Sequence, residues 1–339
     1  MKKLVRALLP AFLALASACA SDKPPELTQE QKTRIVDRYT ETAQQYLMMG
    51  ELDRAEGQTI KALEIDPTNV KCKMIRAWTL QKRGKTQDIL VAERIFREIR
   101  NEGDYRALVG LAECLERKGV AYDEASRDIA SGKRVSEAAD PAARSKQLLG
   151  ERDRAWTESS EHYEAVLKDH ADDVDARNGA MRICALLGRL PESVDHADKL
   201  IAQIGPTREF WQKRMVRPEI TAKDEQLYRE RIDHFRELEV MTRVHAATIL
   251  HELSKDEQAL DRLEGALALD PEGAELYGRR AEIEKSLGRN EKAIADIDQY
   301  LHRSTQTYDH PDIKRAYRMR KECEDALRAG TGSSSGEGR

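Results

Sequence analysis

The segment KALEIDPTN, residues 61–69, and the segment GALALDPEG, residues 265–273, are the same helix ending written twice, 204 residues apart, which is six spans of 34. Each closes an apolar run on Asp-Pro, a pair that stops a helix because proline cannot continue it. A phase kept over that distance means that one supersecondary unit recurs along the chain. Gly84 follows Gly50 by the same 34 residues, so the turns keep the phase as well. Apolar residues between these marks recur at helical spacing, and no alternating β-branched run argues for a sheet.

The first clear unit covers residues 36–69, with Tyr39, Ala43 and Tyr46 on a first helix, Gly50 at the turn, and Ala55 and Ala62 on a second helix that Asp66-Pro67 ends. A second unit from about residue 70 places Ala77, Leu80 and Gly84 correspondingly, then Ala92, Phe96 and Ile99 after about three extra residues. A third begins near Asp104 with Leu108, Leu111, Ala112, Leu115 and Gly119. Residues 174–207 return to the pattern with Ala180, Cys184, Gly188, Ala197 and Leu200, residues 240–273 with Ala247, Leu250, Ser254, Ala259, Leu263, Ala266 and Pro271, and residues 274–307 with Tyr277, Ala281, Gly288, Ala293, Ile297 and Leu301. Small residues at fixed places let two helices approach closely. The string resembles the tetratricopeptide repeat, W-x₂-L-G-x₂-Y…A-x₃-F…P. The resemblance covers most of residues 36–307 and implies an all-α helix-turn-helix solenoid wound as a right-handed superhelix, which binds partners rather than turning them over.

Two stretches break the pattern. An insertion is expected at about residues 120–150, with a long helix after Pro141 running through Trp156, Tyr163, Val166 and Leu167. Residues 206–239, broken near Pro218, read as one divergent helix pair whose core stripe is Phe210, Trp211, Leu227, Tyr228, Ile232, Phe235 and Leu238. Beyond the repeats, residues 308–328 form a capping helix with Lys314, Arg315, Arg318, Arg320 and Lys321 on its cationic face, and residues 329–339 a flexible tail.

At the other end, Lys2, Lys3 and Arg6 precede an apolar run from Leu8 to Ala16 that is too short to span a bilayer and reads as a secretory signal over residues 1–18. Leu15-Ala16-Ser17-Ala18-Cys19 resembles a bacterial lipobox, although alanine rather than leucine stands three residues before the cysteine. The resemblance implies that Cys19 becomes the lipidated first residue of the mature chain, with residues 19–35 a short tether to an outer-membrane surface facing the periplasm. Cleavage after Ala18 or Ala20 by the ordinary signal peptidase is the alternative. Loss of residues 1–18 leaves 54 Lys and Arg against 61 Asp and Glu, a net of −7 that opposes nucleic-acid binding. Cys72, Cys114, Cys184 and Cys323 lie far apart with no CxxC or Cys/His spacing, so the sequence supports no metal or redox motif and implies no cofactor. Buried thiols are expected, with one disulfide open as an alternative.

In this type of superhelix the first helix of each unit lines the concave face, through positions 2, 5, 9 and 12. Here they include Met74 and Trp78, then Asp175, Asn178 and Arg182, then Val244, Thr248 and His251, then Glu275 and Glu282. Trp78 offers a peptide anchor, an apolar indole with a polar edge. Thr40 and Gln44 stand where a carboxylate clamp would need lysine and asparagine, so capture of a C-terminal tail is not expected. GxSxG, HExxH, a P-loop and a dinucleotide fingerprint are all absent, which argues against an enzyme. The reading is a membrane-anchored adaptor that holds a cell-envelope protein or peptide. A self-associating spacer is the second reading and a hidden envelope hydrolase the third. A groove binder implies that Trp78→Ala or Arg182→Glu abolishes capture with helicity intact, whereas a spacer implies loss of self-association through residues 120–173.

Overall fold

Repeated apolar faces that cannot be buried by one helix alone must be buried by its neighbours, and that is the architecture found. The computed structural model describes residues 27–135, 140–217 and 219–333, with side chains to residue 329. The signal, the lipobox and Cys19 lie outside the described residues. Among those described there are thirteen α-helices and no strand. The chain divides into two compact units between Asp104 and Tyr105.

The first unit holds α1 (Gln29–Met48), α2 (Leu52–Ile65), α3 (Val70–Arg83) and α4 (Thr86–Ile99). Each packs on its chain neighbour, and α1 also meets α3. Ala43, Ala55, Ala62, Ala77 and Ala92 are fully buried, the close contacts that the repeat demands. Asn69 starts α3 by accepting the Cys72 backbone N–H at 2.9 Å. Arg83 then ties three helices by reaching Asp53, Glu56 and Asp88 at 3.0, 2.6 and 2.7 Å.

The second unit holds α5 (Arg106–Ala130), α6 (Pro141–Asp169), α7 (Val174–Leu186), α8 (Leu190–Met215), α9 (Ala222–Glu252), α10 (Asp256–Leu269), α11 (Ala274–Ser286), α12 (Asn290–Arg303) and α13 (Pro311–Ser333). The stretch expected as an insertion lengthens both helices of one pair. Ser126 and Ser145 bond across α5 and α6 at 2.8 Å, Arg152 reaches Asp123 at 2.7 Å, and Trp156 Nε1 donates to the Glu116 carbonyl at 3.3 Å. Gly119 makes room for that indole, since a Cβ there would stand 2.2 Å from it.

Residues 206–239 do not form a separate pair. Helix α8 continues through Pro206 to Met215, and α9 starts at Ala222, capped by Thr221 and Asp224 in a reciprocal pair. The same stripe that would close an extra repeat instead joins two elongated neighbours. With only two helices to bury it, none of its members enters a core: Phe210 is 49% and Leu227 43% exposed, and Trp211 meets Tyr228 at 5.5 Å. At the end of the chain, Ile313 and Ala316 of α13 close over Ala281, Ile297 and Tyr300. Two of the cationic residues of α13 pair with the chain they cover, Arg315 with Glu282 at 3.0 Å and Arg320 with Asp298 at 2.8 Å. Helix α13 runs to Ser333, past the start of the expected tail. Cys72, Cys114, Cys184 and Cys323 are all buried and unbridged.

The turns repeat in detail. Gly50, Gly188 and Gly288 hold φ of 75°, 72° and 71°, and the next residue in each case donates its N–H five residues back. Ser254 stands at the same place, 204 residues after Gly50 and 34 before Gly288, with φ of 57°. A side chain there carries a left-handed cost that glycine avoids. Ser254→Gly is therefore expected to stabilise the chain by about 1 kcal/mol in urea unfolding. A loss of stability would mean that the serine makes a compensating contact.

Candidate functional site

First helices of successive pairs bring their outward positions to one side of the second unit. Asn178 and Arg182 of α7, Met241, Val244, His245, Thr248 and Glu252 of α9, and Arg279 of α11 line a groove of about 740 Å³, floored by Met181, Leu238 and Ile249. Met241 is 70% exposed, an apolar side chain offered to solvent at the rim. Arg279 donates to the Thr248 hydroxyl at 3.2 Å, so the α9 and α11 walls are tied.

Arg182 is held from behind. Its guanidinium grips Glu116 of α5 through Nε at 2.8 Å and Nη2 at 2.9 Å, a bidentate pair, and the hydroxyl of buried Tyr163 donates to the same carboxylate at 3.2 Å. Glu113, one turn back, is pushed up from 4.5 to about 7 because burial disfavours its charge, with Asp175 and Glu116 adding repulsion against the pull of Arg182. Burial also raises Asp175, helped by Asp173. His245 is held below its ordinary value by burial and then by Arg182. Ser193 donates its hydroxyl to the Met181 carbonyl at 2.8 Å, so His245 Nε2, 3.1 Å away, donates to Ser193.

The raised acid makes a prediction with a defined sign. The native chain keeps a proton on Glu113 between pH 4.5 and about 7 that the unfolded chain has lost, so this group's contribution to stability falls as pH rises through that window. Relative to the wild type, Glu113→Gln should gain on the order of 1–2 kcal/mol between pH 4.5 and 7.5, read from urea unfolding at each pH. Parallel stability curves for the two proteins would show that Glu113 ionises normally.

The remaining sequence-selected residues are placed differently. Glu275 and Glu282 line a smaller recess of about 210 Å³ with Arg279, Tyr300 and Arg315, where α11 meets the cap. His251 sits nearby with Nδ1 2.6 Å from Asp256. In the first unit Met74 is buried at 8% exposure, and Trp78 is half-buried with its ring edge-on to Phe96 of the same repeat at 5.3 Å. Thr40 is buried too and turns its hydroxyl back to the Val36 carbonyl at 2.7 Å. Met241 was legible in principle, since it holds position 2 of the 240–273 unit by the same rule that selects Val244 and Thr248. Apart from the groove, Glu164, Cys184 and His196 from α6, α7 and α8 offer ligand atoms within 4.8 Å of one another.

Residues 147–209 and 250–307 match the tetratricopeptide repeat family model. The thirteen described helices form an all-helical tetratricopeptide repeat array. Such domains bind protein or peptide partners and are typically non-catalytic. Solved structures similar to the array include the tetratricopeptide repeat protein of Parabacteroides merdae, at 15% identity over 85% of this chain and 99% of that one, with a TM-score of 0.37. Pseudomonas aeruginosa pilF is similar at 13% identity over 88% and 89%, with a TM-score of 0.35. The MamA protein is similar at 13% over 66% and 97%, also at 0.35. No curated protein sequence matches the chain.

Proposed function

We propose that this array is a lipid-anchored adaptor of the bacterial envelope, which holds a segment of a partner protein in the groove between α7, α9 and α11 and performs no turnover. The observation that carries the reading is the groove: an open channel with an apolar floor, an exposed Met241 on its rim and hydrogen-bonding Asn178, Thr248 and Arg279 along its walls. An extended or helical segment gains affinity from burying apolar side chains on such a floor and orientation from the polar walls. Arg182 serves as a wall fixed by Glu116, a positive group already ordered before the partner arrives. Cys19 would anchor the chain to a lipid surface through a stretch that is shorter than the expected 19–35, because α1 already begins at Gln29, with the outer membrane the favoured location.

The self-associating spacer draws support from a specific feature, the α8–α9 hairpin with Phe210 and Val216 exposed at 49% and 78%. A photocrosslinking residue placed at Met241 or, as a control on the second-helix side, at Gln258 separates the two readings. In native membranes the groove reading expects a discrete envelope protein crosslinked from Met241 and none from Gln258, with capture lost in a Cys19→Ala form. Crosslinks only between copies of the chain would transfer the assignment to the spacer.

A further inference from the structure

Cys184 lies on α7, His196 on α8 and Glu164 on α6, and the packing of three successive helices brings their sulfur, ring nitrogen and carboxylate oxygen within 4.8 Å of one another. We propose that these three side chains form a site for one borderline-soft divalent cation of the zinc type, completed by water. The donor set is thiolate, imidazole and carboxylate, the three groups that zinc takes in sites keeping an open position.

Geometry supports the assignment. Zinc bonds of ~2.0–2.3 Å put tetrahedral ligand atoms roughly 3.3–3.7 Å apart, so the cluster needs to contract by about 1 Å. Glu164 can supply that movement, because its side chain is 48% exposed while Cys184 and His196 are fixed in the core. His196 gives the second, independent observation. The residue is 92% buried, being 8% exposed, with one ring nitrogen 3.4 Å from Glu164 and the other, Nδ1, without a hydrogen-bond partner. A buried nitrogen left unpaired is costly, and an imidazole carrying its proton on one nitrogen has a bare lone pair on the other.

Cys184 must give up its proton on binding, as the S–H bond is replaced by a metal–sulfur bond and the proton leaves to water. Burial pushes the Cys184 thiol up to about 11, with Arg189 pulling the other way, so the cation itself must displace the proton. A cleft of about 710 Å³ lined by Ser160, Glu164 and Arg189 brings solvent to the Glu164 edge of the site. Thiolate and carboxylate together would neutralise the cation, so the site would staple α6, α7 and α8 without leaving net charge behind.

The test uses the full chain, freed of metal by a chelator and titrated with Co²⁺ and then Zn²⁺. The expected result is one equivalent bound, with the near-ultraviolet thiolate charge-transfer band and intense visible bands of tetrahedral cobalt, both displaced by zinc. Cys184→Ala should abolish the charge-transfer band and weaken zinc binding by roughly 100-fold, and His196→Gln should weaken it comparably. Glu164→Gln, at an exposed side chain where folding is not at risk, should weaken it by roughly 10-fold, while Cys323→Ala changes nothing. No charge-transfer band in the wild-type protein, or zinc affinity unchanged in both Glu164→Gln and His196→Gln, would overturn the proposal.

Discussion

Tyr163→Ala should destabilise the second unit by about 3–5 kcal/mol, the largest effect expected of any single side chain here. Tyr163 is fully buried, its ring lies where a Cβ on Gly179 would fall 2.1 Å away, and its hydroxyl holds the carboxylate that grips Arg182. Removing the ring opens a cavity between α6 and α7 and frees Glu116 on one side. The change should appear in urea unfolding as an early transition in part of the chain, because a solenoid transmits stability mainly between neighbours. Tyr163→Phe keeps the ring and should lose only about 1 kcal/mol, the ordinary worth of one hydrogen bond. Equal losses for the two variants would show that the hydroxyl rather than the packing holds this junction.

Arg182→Glu is expected to cost about 3 kcal/mol. It removes the cation that compensates Glu116, and it adds a carboxylate to a neighbourhood that already holds Glu113 and Asp175. Protonation should relieve the repulsion, so the deficit relative to wild type should shrink as pH falls from 8 to 5 in unfolding experiments. A pH-independent deficit would point to lost packing by the arginine stem instead. This also changes how a binding defect in the variant is read. From the sequence, Arg182→Glu is a test of partner capture with the fold intact. With the Glu116 pair in view it is a test of the wall itself, and Met241 is the better probe of the groove.

The repeat was legible because its geometry leaves little choice. Ala62 and Ala266 recur where two helix axes approach, Gly50 and Gly288 where the backbone must turn left-handed, and each requirement excludes most other residues. The groove was half legible. Position along the repeat selects Asn178, Arg182 and Thr248, and the structure brings these three together. Position cannot say that Met74 packs inward, since an apolar residue at an outward position reads alike whether a neighbour covers it or not. Nor does it separate Glu113 and Glu116 from the many glutamates on solvated helix faces, because their burial depends on α7 crossing α5. The α8–α9 hairpin was misread for a related reason: one apolar stripe serves equally to close a repeat or to join two long helices. Cys184 and His196 are twelve residues apart on different helices, with Glu164 on a third, so no short motif could announce their convergence.

The four buried cysteines have a use of their own. Cys72, Cys114, Cys184 and Cys323 sit on α3, α5, α7 and α13, one in each of four places along the array, and each is shielded in the native state. In the metal-free chain an alkylating reagent can reach any one of them only when that stretch opens. The chain therefore carries a built-in set of local clocks: the order in which the thiols react under native conditions reads out which end unzips first, without a single engineered label.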